Sequence, residues 1–291
     1  MKDQAERLRQ MVMTLREKRD KNRGGPRVIA VTSGKGGVGK TNISVNLAIS
    51  LSKQGYKVII IDADFGLANV DVLLGIIPKY TFKDFIKSQM SITDILTEGP
   101  CGIRFISGGS GMYDLVNLSS THLERIVEDI CKLDGWADII IIDTAAGISN
   151  NVIKFAVAAS ETILVTTPEP TSITDAYALM KAISTLKQEV RINLIVNKAE
   201  NIKEAVEIID RFADAANKFL GITVTKLGYV LFDGAVTKAV KRQQAFCIAS
   251  PNSYASKCIQ TIAGNLIDGR YNPNIRVSGI GTFIKRLLGR R

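Results

Sequence analysis

The sequence contains a single histidine, His122, among its 291 residues, which argues against a His-based catalytic triad or a histidine-rich zinc site. Its four cysteines, Cys101, Cys131, Cys247 and Cys258, form no C-x-x-C pair or other close ligand spacing. That usage fits reduced thiols in a cytosol better than a disulfide framework. Long apolar runs are also missing: Val58 to Ile61 and Ile139 to Ile142 each stop at an aspartate, far short of the roughly 20 residues that span a bilayer. The N-terminus is charged and has no apolar segment of the kind that marks a signal peptide. No internal repeat is present, so a fused pair of similar halves is excluded. Any chemistry is left to Lys, Asp, Thr and the backbone.

What the chain does have is charge at its ends. Of the net +10, residues 1–27 carry nine Lys/Arg against four Asp/Glu, and residues 270–291 carry six Lys/Arg and no acid. The 242 residues between hold 23 basic and 24 acidic side chains. At 46% apolar composition the chain can bury a substantial core, and its length fits one large α/β domain or two small ones.

Residues 3–19 read as a short helix, because Ala5, Leu8, Val12 and Leu15 recur at spacings of three and four. The basic, helix-breaking stretch 21–27 then reads as a linker. β-branched runs predict strands near 28–33, 57–62, 103–107, 138–143, 161–167, 191–197 and 226–231. Helical patterns at 42–54, 120–133, 150–158, 174–188, 203–219 and 251–267 separate them. Strands apolar on both faces, alternating with amphipathic helices, predict a three-layer α/β domain: a mainly parallel sheet with helices on both faces. The expected organisation is helix 1–20, linker 21–27, domain 28–269, linker 270–279 and terminal helix 280–291.

Gly34-Lys35-Gly36-Gly37-Val38-Gly39-Lys40-Thr41 satisfies G-x-x-x-x-G-K-[ST] between the first strand and a helix. Glycines there let successive backbone N–H groups turn onto phosphate oxygens at the positive end of the following helix. Lys40 is suited to neutralising the β- and γ-phosphates, and the Thr41 hydroxyl to ligating Mg²⁺. Two apolar strands then end in carboxylates, Asp62 with Asp64, and Asp143. Acids at the carboxyl ends of buried strands sit where ligands bind in open α/β sheets.

The additional Lys35 makes the loop K-G-G-x-G-K-T, and with it the sequence resembles the deviant Walker A ATPases, the group of MinD and ParA. The resemblance implies an ATP-dependent homodimer in which Lys35 reaches the partner's phosphates. No arginine lies in the loop to meet charge developing on the γ-phosphoryl group, so a lysine supplied in trans makes hydrolysis conditional on dimerisation. It also implies that Asp64 positions the attacking water, that Asp62 lies close to magnesium, and that Asp143 holds Mg²⁺ through a water. The Gly147 region would offer an N–H to the γ-phosphate and form a switch with Asp143. Ala145 departs from the Gly or Pro of that group's D-x-[GP]-A-G pattern. Asn197-Lys198 resembles its base-contacting position, and residues 167–171 a second base-side loop. Glu200 stands where guanine-binding relatives carry Asp, which favours ATP. The cofactors implied are ATP and Mg²⁺. Iron–sulfur carriers share the loop but need paired cysteines, which are not spaced for that here.

At the C-terminus Ile280, Phe283, Ile284, Leu287 and Leu288 fall at i, i+3, i+4, i+7 and i+8, with Lys285, Arg286, Arg290 and Arg291 on the remaining face. This is the pattern of an interfacial amphipathic helix. About 12 residues are marginal as a helix in water, so folding coupled to an anionic membrane surface is expected. The alternative is a terminal helix docked on its own core; the Pro/Asn linker and the lack of acids favour the membrane. At the other end, Asp3-Gln4-Ala5-Glu6-Arg7-Leu8-Arg9 resembles the D-Q-A-x-x-L-R pattern of the FlhG/FleN family of flagellar number regulators, which are MinD-type ATPases. In that family the N-terminal helix stimulates the signal-recognition-type GTPase FlhF. Gln4 would arrange water at the partner's site, Leu8 would anchor the helix and Arg9 would make polar contact, in a motif opened by Asp3. The resemblance implies a cytoplasmic ATPase, reversibly peripheral on the inner face of the membrane, that regulates flagellar number and placement, with switch-complex proteins as further partners. A MinD-like division-site regulator is the alternative, with no role for the N-terminal motif. A ParA-type DNA partition ATPase needs phosphate contacts, against which the near-neutral core argues.

Overall fold

Along β1 (Arg27–Ser33), Val28 and Ala30 pack on one side of the sheet while Ile29 and Val31 pack on the other, and all four are fully buried. A strand apolar on both faces needs cover on both, and this alternation sets the layers. The computed structural model describes residues 25–64, 69–88, 90–108, 128–186, 190–268 and 279–288. The N-terminal motif with Asp3, Gln4, Leu8 and Arg9 lies outside them.

The other strands are β2 (Val58–Ala63), β3 (Thr97–Glu98), β4 (Arg104–Ile106), β5 (Ile139–Ala146), β6 (Glu161–Thr166), β7 (Arg191–Ala199) and β8 (Val224–Leu231). They form one sheet in the order β3-β4-β2-β5-β1-β6-β7-β8. Pairing is parallel throughout except between β3 and β4. The chain runs from β1 outward to β2 on one side and later from β5 across to β6 on the other. The carboxyl end of β1 therefore faces a topological switch point, where open α/β sheets bind ligands. All seven strands expected from the sequence are present. The first opens at Arg27, one residue inside the expected linker, because Arg27 pairs with Ile139 and its guanidinium binds Glu161.

The α-helices with both ends among the described residues are α1 (Lys40–Lys53), α2 (Val70–Leu74), α3 (Phe82–Lys87), α4 (Asn150–Ala158), α5 (Pro170–Ser184), α6 (Ile202–Leu220), α7 (Gly234–Lys241), α8 (Phe246–Ala249), α9 (Tyr254–Asp268) and α10 (Ile280–Leu287). Helices α1 and α9 cover one face of the sheet through Leu47, Ile49, Ile259 and Ile262. Helices α4, α5, α6 and α10 cover the other through Phe155, Leu179, Phe212 and Phe283.

The terminal helix departs from expectation. Ile280, Phe283 and Ile284, assigned above to a membrane, are at most 5% exposed, and Leu287 and Leu288 pack against the same cluster. Their seat is lined by Ile61, Phe82, Ile130, Leu133, Ile142 and Phe155. Phe283 stacks on Phe155 with centroids 6.1 Å apart, and the Ile280 N–H donates to Asp134 Oδ1 at 2.9 Å. A helix too short to persist alone gains tertiary packing for its apolar face, so in this state α10 is docked on its own core. Lys285 and Arg286 remain exposed.

Candidate functional site

The phosphate loop joins β1 to α1, and three tethers fix its backbone. Ser33 Oγ donates to the Lys35 carbonyl at 2.8 Å, Lys198 Nζ to Gly37 O at 2.8 Å, and Asn197 Nδ2 to Val38 O at 2.7 Å. In a trans peptide the N–H points opposite to the C=O. Anchoring these carbonyls on one side turns the N–H groups of Gly36, Val38 and Gly39 to the other. Gly39 starts α1 at φ +96°, and a Cβ there would lie 2.5 Å from Asn197 Nδ2. Gly34 is equally constrained, since a Cβ would meet the Asp175 carbonyl at 2.2 Å. Asn197 and Lys198, expected beside the base, thus hold the loop itself. Lys198 does so from a left-handed backbone, φ +60°.

Four charged groups converge behind the loop. Lys40 is 8% exposed. Burial lowers its pKa, while the charges of Asp143 and Asp64 oppose that shift. Asp143 is fully buried near the end of β5, and its Oδ1 accepts from Ser44 Oγ at 2.8 Å. Burial chiefly raises the pKa of this carboxyl, against the opposing influence of the neighbouring Thr41 and Ser44 hydroxyls and the Lys40 charge. Asp143 Oδ2 is buried with no hydrogen-bond partner. An orphaned carboxylate oxygen beside a hydroxyl and a buried lysine fits a hard cation with oxygen ligands. Thr41 and Asp143 are therefore the residues that would hold Mg²⁺.

Asp62 stands opposite Asp143 in the β2–β5 register. Rather than facing a metal with a free oxygen, it accepts three backbone N–H bonds: from Asp64 at 3.0 Å through Oδ1, and from Asn69 and Val70 at 2.9 and 3.1 Å through Oδ2. It braces both ends of the loop that carries Asp64. Burial, and then the charge of Asp143, push its pKa up to about 7. Gly147 also differs from expectation, since its N–H donates to Ser33 O at 2.9 Å and would have to exchange that bond to meet a phosphate. Lys35 lies outside the cradle, donating to Glu169 Oε2 at 2.7 Å and Thr171 Oγ1 at 2.8 Å.

Sequence reasoning missed Ser44, the brace by Asp62 and the bond from Lys35 to Glu169, a residue it had placed only in a base-side loop. Ser44 had a signal: three residues past Thr41, it shares that residue's helix face. Thr167 Oγ1, in the second base-side loop, is another buried oxygen without a partner.

Comparison with known proteins places this geometry. The ParA family, described as NUBPL iron-transfer P-loop NTPase, matches residues 26–267. Antiactivator FleN of Pseudomonas aeruginosa is 41% identical over 261 residues, covering 90% of this chain and 93% of that protein. Flagellum site-determining protein YlxH of Helicobacter pylori is 36% identical over 271 residues, covering 92% and 91%. Among solved structures, the MinC:MinD cell division complex of Aquifex aeolicus contains a chain with TM-score 0.65 and 26% identity, covering 83% of this chain and 96% of that one.

Proposed function

The chain belongs to the ParA-type P-loop NTPases and is an ATP hydrolase of the FleN/YlxH group; from that premise we propose that it dimerises with ATP and regulates flagellar number and placement. The observation that carries the reading is the position of Lys35, outside its own phosphate cradle, in a chain that matches flagellar regulators over nine-tenths of its length.

The roles follow from the site. The N–H groups of Gly36, Val38 and Gly39 and the ammonium of Lys40 bind the phosphates. Thr41 and Asp143 would hold Mg²⁺, which when bound would neutralise phosphate oxygens. Asp64, on the braced loop, orients the attacking water. Lys35 of a second copy meets the charge that develops on the γ-phosphoryl group, where a dry site makes it count most.

Membrane association requires α10 to leave its seat. Burying Ile280, Phe283 and Ile284 stabilises docking by roughly 5–8 kcal/mol as an upper estimate. Lipid offers the same side chains an equivalent apolar environment, so that contribution largely cancels. What tips the exchange is charge, with Lys285 and Arg286 each worth about 1 kcal/mol near anionic lipid. Among the described residues no helix is long and apolar enough to cross a membrane.

The N-terminal motif supplies the output to an FlhF-type GTPase. A peptide of residues 1–20 should stimulate that partner's GTP hydrolysis, and the same peptide with Gln4→Ala should not. Absence of stimulation by the native peptide would remove the flagellar arm and favour a division-site regulator.

A further inference from the structure

The points where the chain enters and leaves the core meet at one corner. Arg27, the first residue of β1, makes a two-pronged ion pair with the buried Glu161 and donates through Nη1 to the Leu266 carbonyl at 2.9 Å. Leu266 lies in the last turn of α9, so one guanidinium ties the entry of the chain to its exit. Two residues earlier, Gly25 takes a positive φ of +104°, and a Cβ there would lie 2.6 Å from Gly279 Cα and 3.0 Å from its nitrogen. Gly279 is the N-cap of α10 and has no side chain with which to close that helix. Asp134 closes it instead, accepting the Ile280 N–H at 2.9 Å, so near that a Cβ on Gly279 would sit 2.7 Å from Asp134 Oδ2. The start of α10 is therefore gripped by Asp134 and by Gly25, the root of the N-terminal arm.

We propose that Gly25 is a latch on α10: the root of the N-terminal arm holds the start of the docked helix, so that a partner on the arm and a membrane surface on α10 favour each other. This rests on the reading of residues 1–20 as a partner-binding arm and of α10 as a membrane helix. Two glycine backbones in contact approach more closely than any side chain allows, and each loses its packing when the other leaves. Five residues join residue 20 to Gly25, at most about 18 Å of chain. A folded partner is wider than that, more than about 26 Å across even at 100 residues, so one held on the arm crowds the corner where α10 begins. With eight residues, α10 is too short to persist without its tertiary contacts, and loosening its first turn weakens docking as a whole. Linkage makes the effect reciprocal, since the factor by which partner binding favours release is the factor by which release favours partner binding. Each end keeps its own binding surface; what they share is the corner at which they leave the core.

Cys131 supplies a readout that needs no membrane. A Cβ on Gly281 would lie 2.7 Å from Cys131 Sγ, so docked α10 lies against this thiol. Its alkylation by a maleimide, followed at this site by mass spectrometry, reports undocking. In the full chain without nucleotide, Gly25→Ala should raise the Cys131 rate about fivefold, the scale on which losing a helix cap acts. Co-flotation with phosphatidylglycerol vesicles should rise with it. Strain from a side chain at positive φ would lower Tm but leave Cys131 covered. Adding Asp134→Ala to Gly25→Ala should give little further increase, because two groups that grip one helix start are not additive. The FlhF-type GTPase should also raise the Cys131 rate of the full chain, but not of a chain lacking residues 1–20. An unchanged Cys131 rate in Gly25→Ala, or in the full chain with the GTPase bound, overturns the latch. If Gly25→Ala exposes Cys131 while the GTPase fails to bind the full chain at all, the latch stands and it is the reading of the arm that fails.

Discussion

Asp62 carries a pH dependence whose sign can be worked out. Its carboxyl is raised from 3.8 to about 7 in the folded protein, first by burial and then by Asp143. Between those values the folded chain holds a proton that the unfolded chain has released. Stability conferred by this group is therefore full below about pH 4 and is lost as pH rises through 7. In the nucleotide-free protein the loss should approach about 4 kcal/mol, read as a Tm that falls from about pH 4 to about pH 7 and levels off above that. Asp62→Asn, which keeps an acceptor for the loop amides but cannot titrate, should flatten that slope; parallel slopes would sink the account. Asp62 also marks what was legible at this scale. A strand ending in an acid was plain from the sequence, as was its nearness to the phosphate loop. That its oxygens are filled by the N–H groups of Asp64, Asn69 and Val70 was not, because backbone donors leave no trace in side-chain identity.

At the scale of elements, α10 was half legible. Its apolar stripe at 280, 283, 284, 287 and 288 gave the helix and its buried face, but a stripe does not say whether lipid or protein will cover it. The short α2 and α8, of five and four residues, are too brief to show a period, and tertiary packing decides them. The docked seat makes the two surfaces separable. Phe155→Ala removes the ring beneath Phe283, a class of change that costs about 3–5 kcal/mol in a core, yet it leaves the lipid-facing stripe intact. It should raise co-flotation with anionic vesicles in the absence of ATP. Asp134→Ala, which removes the acceptor for the Ile280 N–H without opening the core, should act in the same direction more weakly. Phe283→Ser damages both destinations and should abolish flotation. If loosening the seat with either of the first two variants leaves flotation unchanged, docking does not oppose membrane binding. Coupling to the nucleotide has a short physical path: Ile61 and Ile142 line the seat one residue before Asp62 and Asp143, and α4, which bears Phe155, begins three residues after Gly147.

For the whole molecule, the alternation of strands and helices made the parallel sheet legible, whereas the insertion of β5 between β1 and β2 was not, since strand order is set by crossovers that no local pattern records. The uneven charge was legible too, and it yields a prediction that depends on the dimer rather than on either end. A single α10 with two exposed cations in its described part binds a surface weakly and reversibly. Two copies held together turn the second contact into an intramolecular step, raising apparent affinity by about 10²-fold or more without a new contact. Lys35→Ala, although it lies on the phosphate loop and leaves the α10 sequence untouched, should therefore lose most of the ATP-dependent gain in vesicle binding. Its residual binding should match that of wild-type protein without nucleotide. Both states should weaken with salt, since surface charges are screened beyond about 10 Å at 0.1 M ionic strength, but the dimer should weaken more steeply because it engages twice the charge. Deleting residues 1–20 should leave this vesicle binding unaltered while ending stimulation of the GTPase partner, and deleting 280–291 should do the reverse. If both activities fall together after either deletion, the two ends are not independent tethers on a common switch but parts of one surface.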